Sequence, residues 1–239
     1  MENKQPLLSI CIPTYNRCEY LQGAICNIIS DKSFDFCVEI IISDNASTDR
    51  TQEIGEEFAN KHNNIMYYRN NCNIQDENFF LSLQRAHGKY VRLFNDTLRF
   101  KNGALKRMLQ EIESMSESSL LLFFQNSTFL NLDKKISIYN INQFIAQTSF
   151  HITWIGNFGI WRKNMDLIQN PNRCSKIHLA QVDWYLQIVS KSDGGIIYYS
   201  DFFESIAPKQ KGGYNLFEVF INNYLLILHS YLDKKIKSL

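Results

Sequence analysis

The chain has 239 residues, 45% of them hydrophobic and 21% charged, with 25 Lys plus Arg against 24 Asp plus Glu. That length and apolar content suit one α/β domain or two small ones around a sizeable core. The net charge of +1 excludes a global field that would gather nucleic acid, so an anionic small ligand needs basic groups placed locally.

Residues 7–12 are a short apolar run stopped by Pro13, the pattern of a buried strand. Residues 19–30 space Tyr20, Leu21, Ala24, Ile25, Ile28 and Ile29 at helical intervals. Residues 38–43 (VEIIIS) are rich in β-branched side chains and predict a second strand. A helix over 48–62, a strand over 64–68, a helix over 77–86 and a strand over 89–94 follow. Strands alternating with helices of this length predict a mainly parallel sheet with right-handed crossovers. Ligands of such sheets bind beyond the carboxyl ends of the strands.

The second half is less regular. A helix is expected over 103–115, an apolar strand over 119–124 and a hairpin over 129–139. Residues 149–162 read as rich in strand, 180–191 as a helix and 196–200 as another strand. A Gly-rich loop, 209–214, precedes a final amphipathic helix from 216 to about 236. That helix carries Leu216, Phe217, Phe220, Tyr224, Leu225, Leu228, Tyr231 and Leu232 on a broad face, then Lys234, Lys235 and Lys237. Core cover is its default role; a homodimer contact or peripheral contact with a membrane are the alternatives. Residues 214–232 are interrupted by Asn215, Glu218, Asn222, Asn223 and His229, which suits no membrane span. The six cysteines show no CxxC pair or metal-ligand spacing, and residues 1–17 show no signal-peptide pattern. A reduced, cytoplasmic protein is expected.

Chemistry is expected where each strand ends. Pro13, Thr14, Tyr15, Asn16 and Arg17 follow the first strand: Tyr15 offers an aromatic face for a base, and Arg17 a fork for phosphate. The competing reading is a strand-to-helix turn capped by Thr14 or Asn16. Asp44, in the cluster SDNASTD, ends the second strand, where a carboxylate is costly to bury unless paired and can accept from a nucleoside. Asp49 stands at a helix start and reads equally well as a cap.

These clusters, continued by NNCNIQDENFFLSLQRAHGKYVRLFND, resemble the family 2 glycosyltransferases of the GT-A fold, closely over residues 6–110 and loosely beyond. The resemblance implies a Rossmann-like, mainly parallel central sheet flanked by helices. A donor-binding half, 1–110, would continue into a smaller acceptor-side region, 111–239, within one domain. It implies transfer, with inversion, of a sugar from a nucleotide-diphosphate sugar to a glycan or lipid-linked acceptor in surface polysaccharide synthesis. Pro13, Thr14, Tyr15, Arg17, Asp44 and Asn45 would surround the nucleotide, with Asn73, Asn78, Arg85, Asn95 and Asp96 near base or diphosphate. The family's acidic cluster, which holds a divalent Mg or Mn ion, is here FNDTLRF, with Asp96 alone. Three outcomes stay open: a metal on Asp96, a metal-independent reaction using Arg99 or Lys101, or a domain that binds without catalysing.

An inverting reaction needs a base for the acceptor hydroxyl. Asp183, in QVDWYLQIVSK, is the sequence candidate because its place resembles the family's acidic motif before a helix. A helix-start carboxylate is the competing reading. Glu204 is second, Asp201 weaker, and His178 a possible assistant. Trp154 and Trp184 are candidates to stack on sugar, and Lys209 and Lys211 to close over the diphosphate as a lid. A nucleotidyltransferase is disfavoured, because no Gly-rich phosphate loop follows the first strand: the first glycine is Gly23.

Overall fold

A computed structural model describes residues 5–118, 120–126, 133–207 and 215–232. Strands β1 (Leu8–Thr14), β2 (Val38–Asp44), β3 (Ile65–Arg69) and β4 (Tyr90–Leu93) alternate with helices α1 (Cys18–Ile29), α2 (Thr51–Lys61) and α3 (Glu77–Gln84). Next come β5 (Leu98–Phe100), α4 (Ala104–Ser114), β6 (Leu121–Asn126), β7 (Lys134–Ile138) and α5 (Ile141–Thr148). The described chain ends with β8 (Gly159–Trp161), α6 (Ala180–Lys191), β9 (Gly195–Ser200), β10 (Phe203–Ser205), a π-helical turn Glu218–Asn223 and α7 (Tyr224–Leu232).

The main sheet has the order β3-β2-β1-β4-β8, parallel except for β8. Its inner strands are apolar on both faces, as helices on both sides require. Side chains alternate along a strand, so Leu8, Ile10 and Ile12 of β1 and Ile40 and Ile42 of β2 enter one core with α1 and α4. Cys11 and Ile41 enter the other, with α3 and α6. Each fully buried Ile or Leu contributes about 1.5–3 kcal/mol. Both cores also take side chains from beyond residue 110, Leu122 and Phe124 in the first and Phe123 and Trp184 in the second. At the amino end of β2, buried Glu39 accepts from Ser9 Oγ at 2.5 Å and from the backbone N of Gly88 at 3.0 Å, which anchors the turn into β4.

Two smaller sheets complete the molecule. In one, β6 lies parallel to β9 and β7 antiparallel to it; in the other, β5 pairs with β10. The expected hairpin over 129–139 is not a local one: β7 pairs with the distant β9, and 127–132 lie outside the described residues. The stretch expected to be rich in strand, 149–162, consists mostly of 3₁₀ turns, Ser149–Thr153 and Ile155–Asn157, before the short β8. Its apolar side chains pack from turns instead of alternating on a pleat, and Asn157 Nδ2 ties the turn by donating to the His151 carbonyl at 3.0 Å. The second helix starts later than expected, at Thr51; Asp49, one residue before its N-cap Arg50, accepts from Thr51 N and from Cys18 N, both at 3.0 Å, and ties the start of α2 to α1. Those hydrogen bonds outweigh burial and hold its carboxyl below the usual range.

The last helix is turned from its expected register. Val219 and Ile227 are buried and Tyr224, Leu228 and Tyr231 pack beneath, whereas Leu216, Phe217, Phe220 and Leu225 are exposed. Among the described residues, no helix is long and apolar enough to cross a membrane. All six cysteines are free thiols.

Candidate active site

The strand order reverses between β1 and β4, and a cleft of about 1610 Å³ opens beyond the carboxyl ends of those strands. This is where an open α/β sheet leaves a crevice for ligands. The register sets Thr14 level with Asp44, and Asp44 level with Arg69. Across the reversal, Thr14 Oγ1 donates to Asp96 Oδ2 at 3.0 Å and Arg17 Nη1 donates to Oδ1 at 3.2 Å. Asp96 is only 4% exposed; burial raises its pKa, opposed by the charge of Arg17 and the bond from Thr14. Tyr15, 43% exposed, lines the same cleft.

A web of polar contacts fixes the loops around this floor. Asn16 Oδ1 accepts from Thr48 N at 2.7 Å, and Asn16 N donates to Ser47 Oγ at 2.9 Å, which zips the β1 turn to the β2 loop. Asn16, Ala46 and Gln75 each adopt positive φ near this rim. Non-glycine residues hold that conformation only where their surroundings enforce it. Asn45 donates to Asn73 Oδ1 at 2.7 Å and accepts from Ile74 N at 2.9 Å, while Asn78 Nδ2 donates to Ser43 O at 2.8 Å.

Asp44 lies beneath the wall, not on the cleft lining. Its Oδ2 accepts from Tyr67 OH at 2.7 Å and from Arg69 Nη1 at 2.8 Å, and its Oδ1 from Ser47 N at 2.9 Å. The buried charge is therefore paired and shapes the loop. Gly55 makes this possible: a Cβ there would come within 2.2 Å of the Tyr67 ring. Arg85 is likewise behind the wall, donating to Ser43 Oγ at 2.6 Å and Asn70 Oδ1 at 2.8 Å, with its guanidinium over Tyr68.

The facing wall comes from the second half. Phe150, His151, Thr153, Trp154 and Ile155 line it from the 3₁₀ turns, His178 and Gln181 from the start of α6, and Val219 and Phe220 from the π-helical turn. Glu204 lies on its rim, exposed on β10. Buried Arg92 of β4 props this wall by donating to the Gly156 carbonyl, and burial brings its pKa down to about 10. Gln181 Nε2 donates to Thr153 O at 2.6 Å, while its buried Oε1 has no hydrogen-bond partner among the described residues.

The family model for glycosyl transferase family 2 matches residues 9–180. The chain belongs to that family. Among curated relatives, it is 34% identical over 149 residues to the abequosyltransferase RfbV of Salmonella typhimurium, covering 57% of this chain and 45% of that protein. It is 32% identical over 108 residues to the GalNAc(5)-diNAcBac-PP-undecaprenol beta-1,3-glucosyltransferase of Campylobacter jejuni, covering 44% and 34%. The chain thus spans less than half the length of these two relatives. The crystal structure of TarS from S. aureus is similar in fold, with a TM-score of 0.70 at 15% identity, over 95% of this chain and 40% of that one. TarS 1–349 in complex with UDP-GlcNAc gives 0.65 at 17% identity, over 95% and 67%. The GT-A architecture expected from the sequence is the one observed.

Several site expectations from the second half of this family 2 chain need correction. Asp183 is 1% exposed and does not line the cleft. Its Oδ2 accepts from Arg173 Nε at 2.7 Å and Gln187 Nε2 at 2.8 Å, and its Oδ1 from Arg173 Nη2 and, at 2.6 Å, Tyr231 OH. The carboxylate knits α6 to the preceding loop and to α7. One residue on, Trp184 is fully buried against Phe80 and Phe158, with Nε1 donating to Pro171 O at 2.7 Å, so it is core and not a sugar platform. Arg99 spends its donors on the carbonyls of Asp96, Leu98 and Tyr20, and Lys101 pairs with Asp201; neither lines the cleft. Lys209 and Lys211 lie outside the described residues.

Pro13, Thr14, Tyr15, Arg17, Asn45, Asn73, Asn78, Asn95, Asp96, Trp154 and Glu204 are brought together around one cleft. Sequence reasoning missed Asp76, Gln181 and, in the 3₁₀ turns, Phe150, His151, Thr153 and Ile155. The signal for Gln181 was its helical phase: it falls two residues before Asp183, on another face of α6.

Asp96 also tests the fit of a divalent cation. Among the described residues, no three His, Cys, Asp or Glu side chains gather to hold one. Magnesium-like ions hold on through one or two carboxylates, substrate phosphates and waters. The residues therefore fit a cation shared with a bound diphosphate on Asp96, and not a cation site made by protein alone.

Proposed function

We propose that this chain transfers a sugar, with inversion, from a nucleoside diphosphate sugar to a glycan or lipid-linked acceptor in surface polysaccharide synthesis. The observation that carries this reading is the floor of the cleft. Asp96, Thr14 and Arg17 meet across the strand reversal under an exposed Tyr15, within a space of about 1610 Å³. A site for one drug-sized ligand takes roughly 300–1,000 Å³, so donor and acceptor sugar can sit together. Tyr15 would stack on the base, and Arg17 would turn from Asp96 onto the diphosphate. A divalent cation on Asp96 would neutralise charge on the departing nucleoside diphosphate. The opposite wall would present the acceptor hydroxyl to the far side of the anomeric carbon.

Two relatives support the acceptor class by name, one acting on a PP-undecaprenol glycan and one, from Bacillus subtilis, put forward for teichuronic acid biosynthesis. The exposed Leu216, Phe217 and Leu225 beside the cleft suit contact with such a lipid or its membrane. Transfer or hydrolysis assayed with UDP-, GDP-, dTDP- and CDP-sugars tests the reading. Turnover with one of them is expected. Nucleotide binding without turnover of any donor would leave a binding module instead, the reading that the single acidic residue favours.

A further inference from the structure

Transfer as proposed above needs a group to take the acceptor's proton, and Asp183 does not reach the cleft. Among the described residues, the carboxylates and imidazoles that line it are Asp76, Asp96, His151, His178 and Glu204. Asp96 lies on the donor side, bonded to Thr14 and Arg17, and is the proposed cation ligand. Glu204 is exposed to water on β10. His151 stacks on the exposed Phe150 ring and has no carboxylate within ion-pair distance among the described residues.

His178 differs from all of these. Its Nδ1 lies 2.9 Å from Asp76 Oδ2, a contact that joins the acceptor wall to the start of α3 on the donor side. An ionised carboxylate only accepts, so in a neutral ring this contact places the hydrogen on Nδ1 and leaves Nε2 as the basic nitrogen. The residue is held in the left-handed region at φ +62°, its N donating to Ser175 O at 3.1 Å. The preceding carbonyl, of Ile177, accepts from Asn223 Nδ2 at 3.2 Å. There His178 ends the 3₁₀ turn Ser175–Ile177, which brings it to the head of α6. Three residues on, Gln181 lines the same wall, and its buried Oε1 has no hydrogen-bond partner among the described residues.

We infer that His178, oriented by Asp76, is the general base of the transfer, an inference that rests on the function proposed above. The acceptor hydroxyl gives its proton to Nε2 as its oxygen bonds to the anomeric carbon. The bond from that carbon to the β-phosphate oxygen breaks, and its electron pair leaves with the nucleoside diphosphate. The imidazolium is stabilised by Asp76 until it releases the proton to water. This is the arrangement by which a carboxylate fixes a histidine's tautomer and direction.

The test uses the full chain and the donor found in the panel above. His178→Ala should lower kcat by about 10²-fold or more, within the range for general bases, and leave nucleotide affinity within about twofold. Added imidazole should restore part of the lost rate. His178→Gln, which keeps a polar partner for Asp76, serves if the alanine variant does not fold. Asp76→Asn should lower kcat with little change in the acceptor KM, and Asp76→Glu should recover part of it. Wild-type rates in the His178 variants, or an equal loss in Glu204→Gln with no imidazole rescue of His178→Ala, would overturn the base assignment alone. A wild-type chain inactive with every donor would overturn the transfer reading and the base together.

Discussion

The donor side of the cleft is carried on four parallel strand ends, where a polar web that runs from Asn16 to Asn78 pre-sets each loop. The facing wall hangs on 3₁₀ turns, the head of α6 and a π-helical turn, and mixes Phe150, Trp154, Ile155, Val219 and Phe220 with His151, Thr153, His178 and Gln181. Among the described residues, Gln181 leaves one acceptor atom unmet. The two carboxylates Asp96 and Asp183 condense the contrast. Both are almost fully buried, yet one faces the cleft beside a part-exposed arginine and the other is locked by four donor groups at its back. A buried acid thus signals function only when its partners can be exchanged for a ligand.

The most demanding way to break this contrast is Asp96→Asn. Turnover should fall by about 10²–10³-fold, as for loss of one group that stabilises the transition state. Stability should hold or rise. The folded pKa of Asp96 lies above its unfolded value, so its contribution to stability is present at low pH and lost as pH rises through the folded pKa. At neutral pH, removing that ionised group removes a cost, and a denaturant titration showing a large loss would contradict the picture.

Asp183→Ala should do the reverse. It strands Arg173 and Tyr231 and should cost about 3 kcal/mol, the lower end for a broken buried pair because Arg173 is partly exposed. Folded protein in mild conditions should still bind nucleotide. Tyr15→Ala should weaken nucleotide binding by roughly tenfold, a stacking loss of about 1–1.5 kcal/mol seen by calorimetry, without moving stability. Gly55→Ala should cost about 1–2 kcal/mol by displacing Tyr67 from Asp44, with donor affinity falling alongside. The smallest effect is expected far from the donor: Asn140→Ala removes the cap that accepts from Gln143 N at 2.9 Å and should cost about 1 kcal/mol in thermal unfolding alone.

The first four strands and their helices were legible because β-branched runs and helical spacing alternate cleanly there. The residues that follow each strand were legible for the same reason, since the sheet places them at one edge. What stayed hidden depended on helical phase and on partners distant in sequence. Asp183 and Gln181 are two residues apart, yet only Gln181 turns to the cleft. Asp44 and Arg85 were placed at the ligand, whereas Tyr67, Arg69 and Asn70 claim them from behind. The Asp76–His178 contact joins residues 102 apart, a pairing that no local pattern announces.

The 3₁₀ turns at 149–157 carry a further consequence, for how such proteins diverge. A one-residue slip in a paired strand sends every side chain to the opposite face. These turns pair with no strand, so exchanging their cleft-lining side chains between Phe150 and Ile155 shifts no strand register. On the function proposed above, descendants of this chain can change which acceptor they recognise by exchanging those side chains, while the floor of Thr14, Arg17 and Asp96 is inherited unaltered.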